Sequence, residues 1–168
     1  MTENGAVAAE RQSLVMSLQA QRAHVLGILE GLDDADLRRP VLPTGWSCLG
    51  LVKHLALDVE RFWFRAVVAG EQVELETGDG AWQVGPDVAA ASVLDLYREE
   101  SRLADAVVAA TALDAQPAWW PDDLAEAMPP RPLRRTVLHV ITETAAHAGH
   151  LDAARELIDG RTWLVLTD

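Results

Sequence analysis

Apolar positions recur at helical spacing in four stretches of the chain, separated by segments rich in glycine and proline. From about Glu10 to Glu30, Leu14, Leu18, Val25, Leu26 and Leu29 make a broad apolar stripe, with Arg11, Gln12, Gln19 and Arg22 among the polar positions. That pattern predicts a long amphipathic helix. Gly31 follows it, Asp33 and Asp34 are placed to cap a short turn reaching Leu37, and Pro40 and Pro43 stop regular structure. A second long helix is predicted from Cys48 to about Ala69. Ser47 is a good N-cap, and Trp46 and Leu51 stand where a hydrophobic staple can close. Gly70 is its natural exit. The stretch from Glu71 to Ala90 carries Gly78, Gly80, Gly85 and Pro86 around Trp82 and reads as a long crossover loop.

A third helix is predicted from near Ser92 through Leu96, Leu103 and Val107 to about Ala110. Between Gln116 and Pro132 the prolines cluster around Trp119 and Trp120, a pair able to close over one end of a bundle. The fourth helix can take Pro132 in its first turn and run to about Asp159, with Gly160 as its stop. Leu133, Val137, Val140, Leu151, Ala154 and Ile158 keep an apolar seam along it. The expectation is an all-α protein: a four-helix bundle with long crossover connections, residues 1–168 forming a single domain.

Composition narrows the range of functions. Of 168 residues, 49% are hydrophobic and 24% charged, which suits a folded globular chain. Asp plus Glu number 26 against 14 Lys plus Arg, a formal charge of -12, so the average field repels polyanions and nucleic acid is not an expected partner. The only close basic group, Arg131, Arg134 and Arg135, is expected to face solvent. A lone cysteine, Cys48, excludes an internal disulfide framework, and the start Met1-Thr-Glu-Asn4 lacks the pattern of a secretory signal. No apolar run approaches the roughly 20 residues of a membrane-spanning helix. A cytoplasmic protein without a membrane role is the expectation.

The candidate chemistry sits inside the apolar pattern. His54 and Asp58 lie four residues apart on the second helix, and His139, Glu143, His147 and His150 follow at spacings of four, four and three on the fourth. Such spacings stack each set along one helix face. His54 from one helix, with Glu143 and His147 from the other, would give three ligands for a divalent metal and leave a coordination position for water, thiolate or substrate. Asp58, His139 or His150 could orient a ligand or carry a proton. The same spacings also suit a His54–Asp58 hydrogen bond at the core edge and a polar Glu143–His147 pair on a helix flank. Cys48, at the start of the second helix, is open to a nucleophilic role or to plain apolar packing, and the tryptophans to lining a pocket or filling the bundle ends.

Gly45-Trp46-Ser47, the run Leu49-Gly50-Leu51-Val52-Lys53-His54-Leu55, Glu60-Arg61-Phe62-Trp63-Phe64 and the stretch from His139 to Gly160 occur in an order that resembles the DinB-like superfamily. The resemblance includes its mycothiol-dependent maleylpyruvate isomerase relatives and uncharacterised actinobacterial members. The resemblance implies a bundle whose metal is held by one histidine on the second helix and two residues one turn apart on the last, here His54, Glu143 and His147. Zinc or nickel, with manganese or iron as alternatives, would be the ion, and a low-molecular-weight thiol the co-substrate. Asp58 and His150 are then the candidate proton carriers. A homodimer acting on a small-molecule substrate or thiol is implied too. The competing expectation is a metal-stabilised, non-catalytic small-molecule-binding or stress-associated homodimer.

Overall fold

The computed structural model describes residues 3–125 and 128–163. The first apolar stripe lies on α1 (Glu3–Ile28), which starts well ahead of Glu10. Ala6, Ala8 and Ala9 explain the extension, because alanine carries a helix forward without needing a buried face. The short turn is α2 (Asp34–Arg38), whose first turn is closed by the Asp33 side chain accepting from the Asp36 amide. α3 (Cys48–His54) begins where Ser47 accepts from the Gly50 amide at 3.1 Å, as its cap pattern predicts.

From Leu55 to Val68 the same helix continues in π form, with i→i+5 bonding in place of the α-helical ladder the apolar pattern suggested. Its buried residues are Leu55, Ala56, Leu57, Val59, Glu60, Trp63, Phe64, Ala66, Val67 and Val68, a broad face turned to the core. A 3-10 turn (Gly80–Trp82), α4 (Ala90–Ala110), α5 (Asp122–Ala125) and α6 (Leu133–Asp159) complete the described elements. The fold is all-α, as expected. It has four long helices plus two short ones among the described residues, rather than a strict four.

Cross-helix pairs set the directions. Arg134 meets Glu10, Asp152 meets His24, and Arg155 donates to the carbonyl of Ile28, so α1 and α6 run parallel. Arg11 reaches the carbonyls of Val108 and Thr111 at the far end of α4, so α4 runs against α1. His54 faces His147 and Trp63 faces His139, so α3 and its π continuation run against α6. With α3 and α4 both descending, the chain between them must climb the length of the bundle. Only this connection is a crossover. The second one, from Thr111 to Pro132, stays at one end, where the amides of Ala118 and Trp119 bond to the carbonyls of Val68 and Val67. Trp120 donates to the Met128 carbonyl and packs on Trp63, whereas Trp119 is exposed. The buried apolar side chains of all four long helices form one continuous cluster. No helix among the described residues is long and apolar enough to cross a membrane.

Candidate functional site

His54 is the last residue of α3 before the π stretch, and Asp58 lies one turn into it. Their side chains meet, His54 Nδ1 to Asp58 Oδ2, at 2.9 Å. That bond fixes the imidazole plane and leaves Nε2 free of this partner. Above it lies Trp82, stacked on the His54 ring at 4.1 Å and 16°. The crossover is pinned there by Lys53, whose Nζ donates to the carbonyls of Gly80 and Gln83 at 2.7 and 3.0 Å. Gly50, one turn before His54, lets it come this close, since a Cβ at residue 50 would collide with the Trp82 carbonyl oxygen.

α6 supplies the opposite wall. His147 lies edge-on to His54, with ring centroids 5.1 Å apart, and 5.9 Å from Trp82. Glu143 Oε2 is 3.7 Å from His147 Nε2, and His150 tilts against His147 at 5.5 Å and against Trp46 at 6.1 Å. Burial is the largest reason the His147 pKa is pushed down to about 4; the neighbouring His54 adds to it and Glu143 opposes it. His147 is therefore a neutral imidazole at physiological pH. Beside the cluster, Trp46 and Trp82 form part of a cleft of about 600 Å³ whose polar edges include Arg38, Ser47, Asp79 and Gln83.

A family model described as mycothiol-S-transferase matches residues 13–160, nearly the whole chain and every helix that builds this cluster. The chain belongs to the mycothiol-S-transferase family. The DinB-like resemblance carried by its motifs is thereby borne out. No curated protein and no solved structure matches the chain.

In this mycothiol-S-transferase family member, the residues singled out by spacing divide into two groups. His54, Asp58, Glu143, His147 and His150 are joined by a chain of contacts between α3, the start of the π stretch and α6. His139 does not join them. It stands edge-on to Trp63 at 4.7 Å, nearer the start of α6, with its pKa lowered by burial and by Arg131. Among the described residues no group of three or more His, Cys, Asp and Glu side chains forms a ready metal cage. The donor chemistry still suits a divalent ion, with two imidazoles facing each other, one of them carboxylate-anchored and the other neutral, and a carboxylate one turn away. Cys48 is buried and its thiol is pushed up to about 11 by desolvation, which fits packing and leaves it little thiolate for nucleophilic attack. Sequence reasoning placed Trp82 in a loop and gave it no role over His54. The signals were Gly50 and Lys53, which sit one turn and one residue before His54.

Proposed function

We propose that this protein is an S-transferase that joins a low-molecular-weight thiol, mycothiol by its family, to an electrophilic small molecule. The observation that carries the reading is the His54–His147 pair under Trp82, within a chain matched by the family model over residues 13–160. His54, Glu143 and His147 would hold a divalent ion, zinc or nickel in the first place. When bound, such an ion supplies a Lewis acid that lowers the pKa of a coordinated thiol towards neutrality. Asp58 orients His54 through its Nδ1 and keeps that ring's other nitrogen directed as a donor to metal or thiol. His150, exposed and next to Trp46, would take the thiol proton and pass it to solvent. Trp46 and Trp82 shape the adjoining cleft for the thiol's polar body, with Arg38, Asp79 and Gln83 at its rim.

A second reading is a metal-stabilised, small-molecule-binding homodimer without turnover, built on the same facing His54 and His147. One assay separates the two. Tag-free protein is analysed for metal and then given mycothiol and a fluorogenic electrophile, alongside His54→Ala and His147→Ala. The transferase reading expects stoichiometric metal and thiol-dependent turnover, both lost in each variant. Unchanged metal and turnover in His147→Ala would refute the site, and ligand binding with no turnover in the metal-loaded protein would favour the second reading.

A further inference from the structure

The cleft of about 600 Å³ beside the His54–His147 pair is bounded by two indole rings, Trp46 and Trp82, and by polar side chains that are not equally free to meet a ligand. Arg38 is spent: its guanidinium donates to Asp34 at 2.7 Å and to the carbonyls of Gly85 and Val88. Lys53, which pins the same crossover, is spent on the carbonyls of Gly80 and Gln83 and faces Glu76 at 3.4 Å. The Ser47 oxygen already caps α3. Asp79 is different. It stands at the N-cap of the 3-10 turn, where an aspartate ordinarily accepts from the amides that follow, yet its side chain makes no capping bond. Its carboxylate is exposed, lines the cleft, and has neither a hydrogen bond nor an ion pair among the described residues. With Arg38 balanced by Asp34, Asp79 is the one uncompensated charge among the described residues of the cleft lining. The indole rings act in the same direction, since their faces attract cations and repel anions. At physiological ionic strength a charge is screened over about 8 Å, so the sign of the field inside the cleft is set by Asp79 rather than by the acidic residues spread over the rest of the chain.

We propose that Asp79 is a specificity-determining residue of this cleft: it admits thiols whose bodies are neutral or cationic and turns away those that carry carboxylates. That the ligand is a thiol rests on the transferase reading. The charge preference rests on the cleft alone.

S-methylglutathione and its diethyl ester test this by calorimetric titration of the full chain at physiological salt. The two thioethers share one peptide, cannot act as thiols, and differ in whether their carboxylates are free or esterified. The diester is expected to bind the wild type more tightly than the free acid. Asp79→Asn should narrow that preference by about tenfold, and Asp79→Lys should reverse it. Asp79 is exposed, so neither replacement disturbs the core. Asp123→Asn, which removes the same charge from α5, is expected to leave the preference as it is. An unchanged preference in both Asp79 variants overturns the proposal. So does an equal response to Asp123→Asn, which would assign the effect to overall charge. Failure of the free acid to bind even Asp79→Lys overturns it as well, because something other than charge then keeps it out. Binding of a thioether needs no thiol chemistry, so a preference governed by Asp79 in a protein that transfers no mycothiol removes the transferase reading and keeps the charge filter. Mycothiol transfer with a preference indifferent to Asp79 does the reverse.

Discussion

Among the histidines of the candidate site, His147 has its ionisation altered by its place in the bundle. Its folded-state pKa of about 4 lies below the ordinary histidine value of 6.5, chiefly because burial disfavours the imidazolium. Between those two values the unfolded chain binds more protons at this site than the folded one, so stability rises with pH through that window and falls as acid is added. Metal-free protein should therefore lose stability between pH 6.5 and pH 4, by about 1 to 2 kcal/mol from this site after allowance for screening. His147→Gln should flatten that part of the profile, as urea titrations at several pH values would read; an unchanged slope would mean that His147 does not titrate at a depressed value. The His54–Asp58 bond was legible from spacing alone, since residues four apart on a helix touch. The separation of His139 from His147 was not. Spacing tells which face a side chain shares, whereas the partner at each level depends on how α3 and α6 are set end to end, and the intervening loops decide that.

At the scale of elements, the crossover and the π stretch are what turn a helix pair into a site. The apolar pattern gave the long helix from Cys48 to about Ala69 and its Ser47 cap, but a broad apolar face looks the same whether the ladder beneath it closes every four residues or every five. The path of the crossover was equally hidden, because Trp82 belongs to no periodic pattern. Its position depends on a close approach to Gly50, which supplies the next prediction. Gly50→Ala adds a methyl where the Trp82 carbonyl lies and forces the crossover backbone to move. Helix propensity alone would stabilise the variant by roughly 0.5 to 1 kcal/mol. Overpacking against backbone costs about 1 to 3 kcal/mol, so net destabilisation is expected. The decisive measurement is the His54 ring-proton shift by NMR, which should lose the ring-current effect of the stacked Trp82. A more stable variant with that shift unchanged would show that the crossover does not need this approach.

Across the whole molecule, two of the acidic residues behind the net charge of -12 are buried between helices. Glu60, from the π stretch, receives two bonds from Arg22 of α1 at 2.7 and 2.6 Å, and Arg22 also reaches Asp105 of α4. Glu100 of α4 is gripped by Arg61 and Arg65. Composition carries no trace of this belt, because pairing across helices separated by 35 to 83 positions is decided by packing. Desolvation raises the pKa of Glu60 even with Arg22 opposing it, so loss of the guanidinium would push it up further. Removing one partner should therefore be far worse than removing both. Glu60→Ala would strand a buried guanidinium and lose about 3 to 5 kcal/mol of unfolding free energy, whereas Arg22→Met with Glu60→Leu should recover most of that loss. Urea unfolding of Glu60→Ala, of Arg22→Met and Glu60→Leu singly, and of the double variant measures the coupling. A double variant no more stable than Glu60→Ala would mean that the belt sets the helix arrangement itself, because apolar packing at the same positions could not replace it.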